Sequence, residues 1–274
     1  MKKVLHKFPN TYRFVLAIFL FGIALLLSSI VNKGVIKGYF PYIAVILLIV
    51  ATWILYKKEN KSLQEIGLNL KIKNMLLLPL GIVIAAFAFF VAKYMRAIYL
   101  NESFHLASEI DYQSILTAFY FILPTVAVEE FLFRGYLFKK TIEVSSFVTA
   151  NIIFSVLFML IHILDESVLQ RPGMLILLTI SIPVGHLLFS VALLKSKSIY
   201  FPIGLHLGNN WATRHLVSSN TNGDSIFYVT NEFTFETWTF FILFVVSWNL
   251  FFLLITYIIW KWDKIPLLIR LRKE

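Results

Sequence analysis

Three short polar clusters interrupt a strongly apolar chain, and their side chains are of the types used in acid–base catalysis. They span Glu129–Arg134, Phe158–His162 and His206–Asn210, and each lies in an apolar run long enough to cross a bilayer. Burying a charged group at membrane depth costs about 2.5–3.5 kcal/mol, so such groups are usually retained for function. Together the clusters offer carboxylates as a general base, imidazoles for proton transfer and hydrogen-bond donors for developing negative charge.

Helical spacing separates the roles of the two adjacent glutamates. Glu130 and Arg134 are four residues apart, so they share a helix face, with the acid N-terminal to the base. Glu129 and Arg134 face apart. We therefore expect Arg134 to neutralise and position Glu130, which leaves Glu129 available as a base. The alternative is that all three residues form an ion network without catalysis, because two adjacent buried carboxylates need more than one counter-charge.

The two histidine clusters also place polar groups on single helix faces. Phe158 and His162 are four residues apart, although a histidine near a helix end is commonly a packing residue, and His162 could instead pair with Glu166. His206 and Asn210 share a face in the same way, and they could equally serve interhelical hydrogen bonds.

Glycines on the helix that carries the third cluster predict how it packs. Gly204 and Gly208 lie about 200° round the helix from His206 and Asn210, and small residues at this spacing allow two backbones to approach closely. The pattern predicts a helix that packs by its glycines and presents its imidazole and amide to a cavity.

Membrane-spanning helices must hold these clusters. Of the 274 residues, 59% are hydrophobic and 15% are charged, well below the usual quarter charged of a soluble domain. Apolar runs of about 20 residues predict an all-α, polytopic integral membrane helical bundle with about eight transmembrane helices, forming one domain over residues 1–274. The predicted spans are Arg13–Val31, Phe40–Tyr56, Asn74–Val91, Ile115–Phe138, Ser146–Leu164, Met174–Leu194, Ser198–Leu216 and Thr237–Trp260.

Charge and cysteine content restrict the orientation and the chemistry. With a cytoplasmic N-terminus, 19 of the 25 lysines and arginines fall on the inner side, so both termini are expected in the cytoplasm. The net charge of +10 then faces lipid head groups. Because the basic residues are scattered over loops, we expect no nucleic-acid partner. The chain has no cysteine, which excludes disulfides, thiolate nucleophiles and cysteine-ligated metals.

The order Glu-Glu-x-x-x-Arg, Phe-x-x-x-His and His-x-x-x-Asn on successive helices resembles the CPBP family. These are the CAAX-processing and bacteriocin-processing membrane proteases, also called the Abi family. The resemblance covers residues 115–211, which we expect to be the catalytic core. His186 and the turn at Lys195–Lys197 differ from the family's pattern in a way that concerns packing. His186, Asn151 and Asn249 have no catalytic partner at an informative spacing, and we expect them to be structural.

The resemblance implies a glutamate intramembrane endopeptidase that hydrolyses a peptide bond of a lipidated or hydrophobic peptide. By that resemblance, Glu129 with His162 activates water, and His206 with Asn210 forms the oxyanion hole. No cofactor is then expected, although a zinc ion at Glu129, His162 and His206 is the chemical alternative. The residues that it assigns to the site are Glu129, His162, His206 and Asn210, supported by Glu130 and Arg134.

Two other function classes stay open at this level. A proton-coupled transporter would use Glu129 and His206 as titrating sites, although no inverted repeat is visible. A non-catalytic bacteriocin-immunity or scaffold protein would retain the fold alone. For the peptidase, the expected partners are membrane lipids and a hydrophobic or lipid-anchored peptide, and the sequence does not specify an oligomeric state. The composition, rich in phenylalanine and lysine, favours a multi-pass protein of a bacterial cell membrane.

Overall fold

The computed structural model describes residues 9–218, 224–229, 235 and 237–262. In this part of the chain the protein is a nearly all-α bundle. A 3₁₀ turn occupies Leu63–Ile66, and a π-helical turn occupies Ala212–Leu216. The helices are α1 (Pro9–Val31), α2 (Gly34–Tyr39), α3 (Ile43–Lys58), α4 (Ile72–Met75), α5 (Leu77–Tyr99), α6 (Tyr112–Phe133), α7 (Tyr136–Val144), α8 (Phe147–Ile163), α9 (Glu166–Leu169), α10 (Pro172–Ser196), α11 (Tyr200–Trp211) and α12 (Trp238–Trp260).

Five helical segments are long and apolar enough to cross a membrane, which supports a multi-pass membrane protein. They are Pro9–Val31, Ile72–Leu100, Tyr112–Val144, Pro172–Ser196 and Trp238–Trp260. Helix α8 has 17 residues and α11 has 12, fewer than the roughly 20 that a full crossing requires. The count of eight spans and the cytoplasmic termini stay predictions. The terminal basic residues behind that orientation, Lys2, Lys3, Lys7, Lys264, Arg270, Arg272 and Lys273, lie outside the described residues.

A small sheet, which the sequence did not predict, joins loops between the helices. Its strands are β1 (Phe104–Leu106), β2 (Val217–Ser218) and β3 (Phe227–Val229), with β3 antiparallel to β1 and parallel to β2. Strands of two or three residues are too short to produce a recognisable alternation of apolar and polar residues. The rings of Phe104 and Phe227 pack against Phe90 of α5, at centroid distances of 5.7 and 5.2 Å. This contact fixes the sheet near the C-terminal end of α5.

Helices α5 and α11 run parallel and approach through glycines. A Cβ atom at Gly204 would lie 2.2 Å from the carbonyl oxygen of Leu78, and one at Gly208 would lie 2.4 Å from that of Ile82. The partners advance by four residues on both helices, which sets the parallel register. The predicted glycine strip is therefore confirmed, and α5 is the helix against which it packs.

A polar network joins α1, α3 and α7 at the end of α3. The carboxylate of Glu59 accepts hydrogen bonds from the Tyr136 hydroxyl and, at 2.7 Å, from the Lys140 ammonium. Arg13 of α1 lies 3.5 Å from the same carboxylate, and Lys140 also reaches Glu143 at 2.6 Å. Lys140 is buried, so these contacts compensate a charge that would otherwise be costly. The network holds α7 in place directly after the helix that carries the two adjacent glutamates.

Candidate active site

One carboxylate oxygen links the first and third polar clusters. Oε1 of Glu130 lies 2.8 Å from Nη1 of Arg134 and 2.8 Å from Nδ1 of His206. A carboxylate accepts, so both nitrogens donate to it. Glu130 and Arg134 are fully buried, and His206 is 5% exposed. The predicted pairing of Glu130 with Arg134 is therefore confirmed, and α6 ends with Arg134 as its C-cap residue.

Aromatic rings surround the Arg134 charge. Its guanidinium carbon lies 4.4 Å from the ring centre of Phe158 and 5.2 Å from that of Phe189. Phe189 of α10 also stacks on the His206 ring, with centroids 4.8 Å apart and planes at 18°. Such cation–π contacts stabilise a cation where water is excluded. The Phe158 motif thus has a direct contact with the Glu130–Arg134 pair.

Glu129 lies on the other side of the same imidazole. Its Oε2 is 3.6 Å from Nε2 of His206 and has no hydrogen-bond partner among the described residues. The side chain is 21% exposed, whereas that of Glu130 is fully buried. Because Nδ1 of His206 donates to Glu130, Nε2 accepts in the neutral ring and donates only in the imidazolium. The two glutamates therefore have different surroundings, since Oε1 of the buried Glu130 is held by two donors and the partly exposed Glu129 only approaches His206.

His162 is oriented by its own helix. Its Nδ1 lies 2.7 Å from the carbonyl oxygen of Phe158, and since a carbonyl only accepts, Nδ1 carries a proton. In the neutral ring Nε2 is then an acceptor. Neither nitrogen is within ion-pair distance of Glu129 or Glu166 in the described chain, and Glu166 instead accepts from Gln170 at 3.2 Å. The structure brings His162 near His206 through the Phe158 ring, whose centroid is 4.6 and 6.1 Å from the two imidazoles.

A large cavity runs beside these residues. Its volume is about 870 Å³, and His162, His206 and Asn210 all line it. Most of the remaining lining is apolar and comes from α5, α8, α10, α11 and α12. The cavity extends from His206 to Lys93 and Arg96 near the C-terminal end of α5. It is large enough for a drug-sized or short peptide ligand.

The three clusters and the helices between them lie within one region that matches a known family. Residues 111–212 match the family model described as Type II CAAX prenyl endopeptidase Rce1-like. Residues 111–212 are an Rce1-like domain. The expected resemblance to CAAX-processing membrane proteases is thereby confirmed for this part of the chain. No curated protein and no solved structure matches the chain.

The Rce1-like domain brings all six predicted site residues into one neighbourhood. Glu129 and His162, which were expected to act together, are not in direct contact. Glu130, Arg134 and His206 are in direct contact, and Glu129 approaches His206. His162 and Asn210 line the adjoining cavity. The linkage of His206 to Glu130 has no signal in the sequence, because helical spacing says nothing about which residues of another helix are neighbours.

The side chains of the Rce1-like domain do not fit the zinc alternative. A zinc ion would need Glu129, His162 and His206 to converge on one point. Among the described residues, no group of three His, Cys, Asp or Glu side chains is placed to hold a metal ion.

Three polar residues that were expected to be structural have interhelical or local partners. Nδ1 of His186 lies 3.2 Å from Oδ1 of Asn151 on α8 and 3.2 Å from Oγ of Ser190. Asn249 of α12 donates to Ser181 of α10 at 3.1 Å. The spacing from His186 to Ser190 is four residues, which was a usable signal in the sequence. These bonds join helices that flank the cavity of the Rce1-like domain.

Proposed function

We propose that the protein is an intramembrane endopeptidase in which Glu129 activates a water molecule. The observation that carries the proposal is the unequal environment of the two glutamates. Oε1 of Glu130 is held by Arg134 and His206 in a fully buried position, whereas the Glu129 side chain is 21% exposed and only approaches His206, at 3.6 Å. Oε2 of each glutamate has no hydrogen-bond partner in the described chain. A carboxylate that is not committed to structural bonds is the type of group that acts as a general base.

The hydrolysis then follows from these groups. Glu129 takes a proton from water as the water oxygen bonds to the peptide carbonyl carbon. His162 lines the cavity with an acceptor at Nε2, which suits it to orient that water. As the intermediate collapses, the carbon–nitrogen bond breaks and Glu129 returns the proton to the leaving amine. The products are one new carboxylic acid and one new amine, between which a proton then passes to give the carboxylate and the ammonium.

His206 and Asn210 are the donors in this proposal for the oxyanion that forms at the carbonyl oxygen. They are four residues apart on α11 and both line the cavity. Nε2 of His206 donates only when the ring is an imidazolium, because Nδ1 is already committed to Glu130. The net charge of the site is then zero, because the imidazolium and Arg134 balance the two carboxylates. Apolar surroundings tolerate a neutral group of charges best.

The proposed substrate is a hydrophobic or lipid-anchored peptide. The cavity beside the site is lined mainly by apolar side chains, and the family model is that of a prenyl endopeptidase. A peptide that already lies in the membrane would enter such a cavity with little loss of hydration. The same site would leave hydrophilic peptides unprocessed.

The experiment compares peptide processing by the wild type, Glu129→Gln and the control Glu109→Gln, whose side chain is exposed away from the site. Each purified protein is incubated with labelled apolar peptides, with and without a prenyl group, and products are identified by mass spectrometry. A product formed by the wild type and the control but absent with folded Glu129→Gln supports the proposal. A product that persists in Glu129→Gln contradicts it, and the absence of any Glu129-dependent product favours the transporter or scaffold alternatives.

A further inference from the structure

A second, smaller cavity lies between the first two turns of α1 and the last turn of α3. Its volume is about 230 Å³, well below that of the cavity beside the candidate active site. Leu16 and Leu55 contribute apolar surface to it, whereas Tyr12, Arg13 and Lys58 contribute polar groups. The cavity therefore combines hydrogen-bond donors with apolar side chains in a small volume.

The two cations on the wall of this small cavity are largely unused by the protein. Arg13 has one ion pair, from Nε to Oε1 of Glu59 at 3.5 Å, and its guanidinium makes no hydrogen bond within the described chain. Lys58 is exposed, and no described carboxylate lies at ion-pair distance from its ammonium. A guanidinium presents five N–H donors in a fixed fork. Both side chains can therefore still bind an anion.

The carboxylate that lines the small cavity is already compensated from behind. Glu59 accepts hydrogen bonds from Tyr136 at Oε1 and from Lys140 at Oε2. Lys140 also contacts Glu143, which pairs with Lys61 at 3.1 Å. This group of charges has an excess of two positive charges, which favours an anionic ligand. Its members are the cations Arg13, Lys58, Lys61 and Lys140 and the carboxylates Glu59 and Glu143.

The small cavity lies where two uncharged helical stretches reach their charged ends. In α1 residues 14–31 carry no charge, and in α3 residues 43–56 carry none. Helix α1 is long and apolar enough to cross a membrane, so its end at Arg13 reaches the level of the lipid head groups. Beyond the cavity, apolar side chains of α1 such as Val15 and Phe19 are exposed. They offer a surface to lipid acyl chains.

We propose that this small cavity binds the phosphate of an anionic phospholipid. The fork of Arg13 donates to two phosphate oxygens, the Lys58 ammonium supplies a second charge, and the Tyr12 hydroxyl donates a further hydrogen bond. The acyl chains then lie against the exposed apolar surface of α1. A soluble phosphate would use the same donors but would gain nothing from that surface. The proposal is independent of the proposed peptidase function.

A bound lipid would also stabilise the polar network at the end of α3. Arg13 contacts the Glu59 carboxylate, which in turn holds Tyr136 and Lys140 of α7. A ligand that binds the folded protein alone raises its apparent stability by mass action. The lipid should therefore raise the Tm of the protein.

Native mass spectrometry of the purified protein in a neutral detergent tests the proposal. Phosphatidylglycerol and phosphatidylcholine with the same acyl chains are titrated separately, and Kd is determined for the first bound lipid. Phosphatidylglycerol should bind several-fold tighter, because only this lipid has a net negative charge. Lys58→Met should weaken its binding roughly fivefold, and Arg13→Met should weaken it roughly tenfold or more through the lost charge-assisted bonds. The Lys58 variant carries the test if Arg13→Met does not fold.

The neighbouring lysine provides a matched control. Lys57 is also exposed, but its Nζ lies 4.7 Å from the ring centre of Trp53 and it does not line the small cavity. Lys57→Met removes the same charge one residue away and should leave the Kd of phosphatidylglycerol unchanged within about twofold, the change that diffuse surface attraction would exceed. Equal weakening by Lys57→Met and Lys58→Met overturns the proposal. Equal affinity of the wild type for the two lipids overturns it as well.

A soluble competitor separates the two sources of phosphate. Glycerol 3-phosphate has the phosphate chemistry of the head group without acyl chains, so an equimolar amount should leave phosphatidylglycerol bound. Displacement of the lipid under these conditions would overturn the lipid assignment in favour of a soluble phosphate. The Tm rise with phosphatidylglycerol should be smaller in Lys58→Met than in Lys57→Met. None of these measurements requires turnover, so failure of the peptidase proposal would not affect them.

Discussion

Nδ1 of His206 lies 2.8 Å from Oε1 of Glu130, the oxygen that also accepts from Arg134. The bond joins α6 to α11 across 76 residues of sequence. It fixes the ring orientation and turns the other nitrogen, Nε2, toward Glu129 at 3.6 Å. A supporting carboxylate that orients an imidazole is a common device in sites where histidine handles protons. This relationship supports a positioning role for Glu130 and a chemical role for Glu129.

Removing both partners of the Glu130–Arg134 pair should destabilise the fold less than the sum of the two single removals. Each single alanine variant leaves a buried charge without its partner, which typically costs about 3–5 kcal/mol. We expect Arg134→Ala and Glu130→Ala to reduce folded protein first and activity second. A double-mutant cycle on the thermal unfolding temperature in detergent measures the coupling. Strictly additive losses would mean that the two side chains do not interact energetically, despite their 2.8 Å contact.

Asn210→Ala and His206→Ala should lower kcat more than they change KM. Donors aimed at developing negative charge act in the transition state, and the loss of one typically lowers kcat by about 10²–10³. Asn209→Ala is the matched control, because Asn209 lines the same cavity but lies about 100° round the helix from Asn210. Steady-state kinetics on a cleaved peptide measure both constants. If both variants raised KM and left kcat unchanged, the pair would belong to substrate binding.

Gly208→Ala should destabilise the protein and displace the site. Its Cβ would lie 2.4 Å from the Ile82 carbonyl oxygen, so α5 and α11 would have to separate, and overpacking of this kind typically costs about 1–3 kcal/mol. Gly22→Ala is the control, because a Cβ atom at that helical glycine would have no neighbouring heavy atom within 4 Å. Thermal unfolding in detergent should separate the two variants. Equal stability of both would contradict the close approach of α5 and α11.

Glu59 should make the stability of the protein sensitive to acid. Burial alone would raise the pKa of Glu59, but hydrogen bonds from Lys140 and Tyr136 and the charges of Lys140 and Arg13 hold it below its ordinary value of 4.5. A lowered folded-state pKa stabilises the fold above the unfolded-state value, and this contribution is lost as the pH falls through the folded-state pKa. The Tm difference between wild type and Glu59→Gln should therefore be largest near neutral pH and shrink below pH 4.5.

Exposed Glu65→Gln is the control for that measurement, because Glu65 lies near the same end of the bundle without these contacts. Its Tm difference from the wild type should be small at every pH. A Glu59→Gln variant whose Tm difference stays constant from pH 7 to pH 4 would contradict the stabilising role of the ionised carboxylate.

Local spacing was sufficient to predict features that depend only on which residues share a helix face. The four-residue step from Glu130 to Arg134 predicted their ion pair, and the glycines on α11 predicted a close helix contact. Both follow from the helical period, which is the same wherever the helix is placed. The apolar runs likewise predicted a membrane bundle, because a bilayer leaves helices as the main way to satisfy the backbone.

Tertiary structure alone decided which helices meet and at what level. The resemblance assigned Glu129 and His162 to one water molecule, and that assignment stays a prediction. The structure adds that His206 lies between the two glutamates and that Nδ1 of His162 turns to its own helix. Lys93 was counted among loop charges and instead lines the cavity. The helical period fixes neighbours along one helix but not the tilt, stagger or register between helices. Those depend on the packing of side chains from distant parts of the chain, which no single stretch of sequence contains.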